Sequence, residues 1–211
     1  MLLFGHIGIT LAATALGFRL TDKLRNRITE DRVGGSSPTS DSSHLKIQPD
    51  NRMSFFRSLA NHVDIRFLLV GSMLPDIIDK PVGIFLFQET YSNGRIFSHT
   101  LLFLILLMVA GLFIRGYSGK TWGLALSIGT VFHLLLDKMW QTPKTLFWPI
   151  LGFGFEKTET FDYLSKVFYV LLNEPAVYIP EIIGFIAFVL FAWELLNRRI
   201  TIKFLQNGRL Y

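Results

Sequence analysis

Leu101–Ile114 reads LLFLILLMVAGLFI, and it sits inside residues 96–114, which carry no Asp, Glu, Lys or Arg. A helix needs about 20 mostly apolar residues to cross a bilayer core, and this stretch approaches that length. The same pattern recurs on both sides. Residues 1–18 hold no charged side chain, and residues 121–136 hold none either. Residues 178–196 form a last apolar run, and residues 65–78 form a shorter one that contains Pro75. Together these stretches predict an all-α fold: a multi-pass membrane helix bundle of about five transmembrane helices, forming one domain over residues 1–211.

Composition agrees. Half of the 211 residues are hydrophobic and 18% are charged, against roughly 25% charged in an ordinary soluble domain. Mean hydropathy is +0.40, and 20 residues are Phe. Such a chain is neither disordered nor a highly charged nucleic-acid binder. It has no cysteine, which excludes disulfides, thiol nucleophiles and thiolate-bound zinc. Residues 1–18 read as the first membrane helix rather than a signal peptide, because no basic residue precedes the apolar run and His6 lies within it.

Residues 19–64 differ in kind. They are polar and rich in Gly, Ser and Pro, and they read as a long flexible cytoplasmic loop. Residues 138–177 form a second connection whose LFWPILGFGF segment suits a re-entrant or interfacial piece, with Trp148-Pro149 marking a chain reversal. If five helices alternate, the 19–66 connection, the 115–120 turn and the tail after Asn197 share one side. That side holds fifteen Lys and Arg against six on the other. The positive-inside rule then places the protein in the cell membrane with its N-terminus outside and its C-terminus in the cytoplasm.

Alternation also gathers the ionisable groups. His6 opens the first helix, Asp76 and Asp79 in LPDIID end the second, His99 opens the third, and His133 and Asp137 in HLLLD close the fourth. The starts of helices one and three face the same side as the ends of helices two and four. All six groups therefore converge on one membrane face, which the charge count makes extracytoplasmic. Intramembrane ionisable residues usually have a partner or a task. His133 and Asp137 are spaced i, i+4 and project from one side of a helix. Three imidazoles and three carboxylates can surround one or two divalent ions, with zinc or manganese leading. A lone His in an apolar helix is more often a hydrogen-bonded core residue, and only the grouping of six outweighs that reading. His44 reads as solvated, and His62 falls on the opposite side from the cluster. Arg95, in NGRIFSHT, has the fork to hold a substrate phosphate or carboxylate, or else anchors a headgroup. Ser98 is a second substrate-contact candidate, or with Thr100 a helix cap.

These motifs resemble the membrane-bound metal-dependent hydrolases of the YdjM type, also described as LexA-binding inner-membrane hydrolases. The resemblance rests on His6, on Asp76 with Asp79, on Arg95 with Ser98-His99-Thr100, and on His133 with Asp137, and it covers about 150 residues. Lys80 departs from it, standing where many relatives have a His, and the long first loop departs as well. The resemblance implies hydrolysis, with metal ligands at His6, Asp76, Asp79, His99, His133 and Asp137.

The leading expectation is a metal-dependent hydrolase acting on an ester or phosphoester of an amphiphilic small molecule at a membrane face. Asp79 or Asp137 would orient or deprotonate the attacking water. The alternative is a non-catalytic membrane protein that binds metal or protons for transport or helix assembly. A phosphatidic-acid-type lipid phosphatase is disfavoured, because Ser127 stands where the phosphate-holding Arg before HxxxD should be. A nucleic-acid partner is not expected, because six acids dilute the basic first loop.

Overall fold

The computed structural model describes residues 2–33, 63–87, 93–155 and 163–208. Among these residues there are eight α-helices and no strand. They are α1 (Leu3–Val33), α2 (Ile65–Lys80), α3 (Leu101–Ser118), α4 (Trp122–Leu136), α5 (Pro143–Leu146), α6 (Tyr163–Asn173), α7 (Pro175–Asn197) and α8 (Thr201–Asn207).

Among the described residues, two helices are long and apolar enough to cross a membrane, α3 and α7, and two shorter apolar stretches accompany them, Leu3–Gly17 of α1 and all of α4. Most apolar side chains of α3 and α7 face outward. Ile105, Leu106, Val109, Leu112 and Phe113 are exposed on α3, and Ile182, Ile183, Ile186, Leu190 and Trp193 on α7. A soluble core helix would bury such residues, whereas a helix in lipid has no reason to.

Three features of the helix boundaries were decided by the structure. First, α1 does not stop near residue 18 but continues to Val33, into the stretch read as a loop. The helix-compatible run RLTDKLRNRITEDRV contains no Gly or Pro to end it. Residues 34–62 of that loop, including His44 and His62, lie outside the described residues. Second, Pro75 does not break α2. Proline removes the amide that would bond the carbonyl four residues back, here Gly71, and Thr130 Oγ1 of α4 lies 3.2 Å from that carbonyl, sharing its one proton between it and the Leu126 carbonyl at 3.0 Å. The chain then runs from α2 into a π-helical turn, Pro81–Leu86. Third, the second connection contains α5 and α6, and α7 begins at Pro175, where a first-turn proline costs no hydrogen bond.

Glycines set how closely the helices approach. A Cβ on Gly71 of α2 would collide with the backbone of Leu126 on α4, and one on Gly129 of α4 with Leu68 of α2. Gly8 of α1 meets Gly184 of α7, and Gly111 of α3 meets Gly123 of α4 in the same way. In lipid, where the hydrophobic effect does not drive helices together, such backbone proximity supplies the dispersion contact.

An apolar core of Leu11, Ala15, Val63, Ile65, Leu68, Ala125, Phe191, Leu195 and Phe204 fills one end of the bundle. There Arg66 binds the Asp64 carboxylate and donates to the carbonyls of Leu205 and Gln206, tying the start of α2 to the end of α8. The opposite end is polar.

Candidate metal centre

The start of α1, the end of α2, the connector leading into α3 and the end of α4 meet at that polar end. His6 comes from the first turns of α1, and Asp76 and Asp79 from the last turns of α2. His99 ends a short 3₁₀ turn, Phe97–His99. His133 lies in the last turn of α4, and Asp137 follows it as the C-cap. Thr100 caps α3 by accepting from the Phe103 amide at 3.1 Å.

Asp76, His99, His133 and Asp137 are all buried, and one ligand atom from each lies within 4.8 Å of the others. His99 Nε2 is 3.1 Å from His133 Nε2. Asp76 Oδ1 is 3.6 Å from His99 Nε2 and 3.9 Å from His133 Nε2, and Asp137 Oδ2 is 3.9 Å from His99 Nε2.

The outer nitrogens of both imidazoles are already committed. His99 Nδ1 is 2.7 Å from Asp79 Oδ2, and His133 Nδ1 is 2.8 Å from the Ser72 carbonyl oxygen. An ionised carboxylate and a carbonyl can only accept, so each Nδ1 carries the proton and each Nε2 presents a lone pair. Two lone pairs and two carboxylates thus face one another. That set lacks a donor at its centre, and it is the arrangement that binds a cation. Its nitrogen and oxygen donors suit a borderline divalent ion. The residues therefore fit a metal, whose identity the donor set leaves open.

The other two expected ligands are placed differently. Asp79 stands behind His99. It accepts from the backbone amides of Ile96, Ser98 and His99 as well as from the imidazole. Those four donors staple the connector onto α2 and fix the ring of His99, an orienting arrangement common behind metal-bound histidines. His6 is fully buried and stacks on His133 with ring centroids 4.2 Å apart. Its Nε2 approaches Asp137 Oδ1 at 3.1 Å, yet neither ring nitrogen has a hydrogen bond of acceptable geometry among the described residues.

Of the two substrate-contact candidates, Arg95 pairs with Asp137, its Nε and Nη2 lying 3.0 and 2.9 Å from Oδ2. Ser98 is buried, and its amide donates to Asp79.

Sequence reasoning passed over Glu181. It lies in α7, yet its carboxylate accepts from the amides of Leu2, Phe4 and Gly5 at 2.6, 3.0 and 3.1 Å. These are amides of the α1 N-terminus, which have no intrahelical partner. The signal was an isolated acid inside an apolar run, the same signal that exposed Asp76.

No curated protein and no solved structure matches the chain. A family model described as YdjM inner membrane protein matches residues 1–204, and the chain belongs to that inner-membrane family.

Proposed function

We propose that the protein is a membrane-bound metal-dependent hydrolase of an ester or phosphoester, acting on an amphiphilic small molecule at a membrane face. The observation that carries this reading is the buried pair of imidazoles whose Nε2 atoms, 3.1 Å apart, face two carboxylates. Asp76, His99, His133 and Asp137 would hold one divalent ion, zinc or manganese, with His6 the next donor beside Asp137. Such an ion supplies Lewis acidity to the reacting oxygens and makes water a stronger acid.

This chain's own residues do the rest. Asp79 already accepts from four donors and serves as a positioning residue. The proton-accepting part falls to Asp137, whose carboxylate faces the cluster and whose other neighbours are His6 and Arg95. Arg95 reaches the outer edge, where it can meet substrate. The family implies association with a lipid bilayer. We further propose a single domain of about five spans, with the N-terminus outside and the site on the extracytoplasmic face, supported by the fifteen-to-six distribution of Lys and Arg.

Metal-stripped protein should lose hydrolysis across a panel of esters and phosphoesters, and Asp76→Ala should reproduce that loss. Unchanged turnover in both would overturn the mechanism. A second reading, in which a bound ion locks helices together without turnover, draws on the fact that the cluster joins α1, α2, α4 and the connector before α3. Bound metal without activity on the whole panel would select it.

A further inference from the structure

Each cluster aspartate faces the histidines and meets a basic side chain, Asp76 through separate oxygens and Asp137 through an Oδ2 that also lies 3.9 Å from His99 Nε2. Asp76 Oδ1 faces His99 and His133, and Lys80 Nζ lies 2.6 Å from its Oδ2. Asp137 Oδ1 faces His6, and Arg95 holds its Oδ2 through both Nε and Nη2. The two carboxylates are buried, at 6% and 4% side-chain exposure. The two cations are not, at 31% for Lys80 and 42% for Arg95. Lys80 and Arg95 therefore each touch an aspartate and open outward at the rim.

Charge decides what such a rim admits. Two carboxylates are matched by Lys80 and Arg95, and the histidines are neutral when their Nε2 atoms bind a cation. Asp79, behind His99, is a third carboxylate, so a divalent ion then leaves one positive charge in excess beside the cluster. A neutral carboxylic ester cannot balance it, whereas a phosphate group can. The Arg fork and the Lys point charge are both well suited to phosphoryl oxygens. Phe97, two residues before His99, packs edge-on against Trp148 and Phe155, so an apolar shelf lies beside the rim.

We propose that Lys80 and Arg95 form a cationic rim that selects a phosphoester, with its non-bridging oxygens held between them over the metal centre. The proposal rests on the metal-hydrolase reading and narrows its substrate class.

Calorimetric titration of the full-length, detergent-purified protein with inorganic phosphate, and with monomeric dihexanoyl phosphatidate, tests it. Dihexanoyl glycerol serves as the neutral counterpart, and metal content is measured in the same samples. Wild type should bind phosphate. Lys80→Gln and Arg95→Gln should each weaken binding at least tenfold, the scale of one charge-assisted hydrogen bond. Lys80→Arg, which keeps the charge, should stay near wild type. Tighter binding of the phosphatidate than of inorganic phosphate would assign the site to a lipid headgroup, and equal binding to a free phosphoester. No phosphate binding by wild type, unchanged binding in both Gln variants, or equal loss in Lys80→Arg would overturn the proposal. Phosphate binding by protein that holds no metal would instead sink the metal reading and leave the rim standing.

Discussion

His99 and His133, on different helical elements, bring their Nε2 atoms to 3.1 Å while each Nδ1 is tied outward, one to Asp79 and the other to the Ser72 carbonyl. Two lone pairs at that distance repel unless a cation lies with them. The protein purified without chelator should carry one divalent ion per chain by elemental analysis. Chelation should lower Tm, and added zinc or manganese should restore it in a concentration-dependent way. A Tm indifferent to chelator would count against the centre.

Asp79→Asn keeps the size of the side chain and removes its charge. The His99 proton then loses a carboxylate partner, and three backbone amides lose their anionic acceptor. Stability should fall by about 1–3 kcal/mol, and metal affinity by about 10- to 100-fold, as for other groups that orient a metal-bound histidine. Thermal unfolding and metal titration read the two separately.

Glu181→Gln should act on the same centre from another helix. The carboxylate fastens the first turn of α1, which carries His6, and its loss should cost about 1–3 kcal/mol because the bonds are charge-assisted. If the effect on the centre passes through His6, then Glu181→Gln and His6→Ala will be non-additive in metal affinity. Strict additivity would confine Glu181 to holding the helix end.

Gly129→Ala should destabilise the bundle by about 1–3 kcal/mol, the usual cost of overpacking, because its Cβ would meet the backbone of α2. Gly17→Ala is the contrast. Nothing lies within 4 Å of a Cβ there, so the helix-propensity gain of up to ~1 kcal/mol stands alone. Thermal melts in detergent would separate the pair by sign.

Much of the architecture was open to reading along the chain. The run at Leu101–Ile114 and the apolar run after Tyr178 announce α3 and α7, because hydropathy adds up residue by residue. Alternation of helices was enough to expect His6, Asp76, Asp79, His99, His133 and Asp137 at one end. The end of α1 was misjudged, since a polar segment can be a loop or a solvated helix and only its neighbours decide. Pro75 left the course of α2 open in the same way: its effect depends on whether another helix can serve the freed Gly71 carbonyl, and the Thr130 hydroxyl, shared with Leu126, reaches it.

The order of apolar runs thus determined, from the sequence alone, a helical chain, because hydropathy is a property of single segments, and alternation of those helices gave the expectation that the ionisable groups gather at one end. Which oxygen of Asp76 meets Lys80, which face of Asp79 is spent on amides, and that Glu181 grips the start of a helix more than 170 residues earlier were decided only by the tertiary structure. Glycine contacts set those helix separations to within ångströms, and hydrogen bonding changes over that same distance, so no local pattern can carry the information.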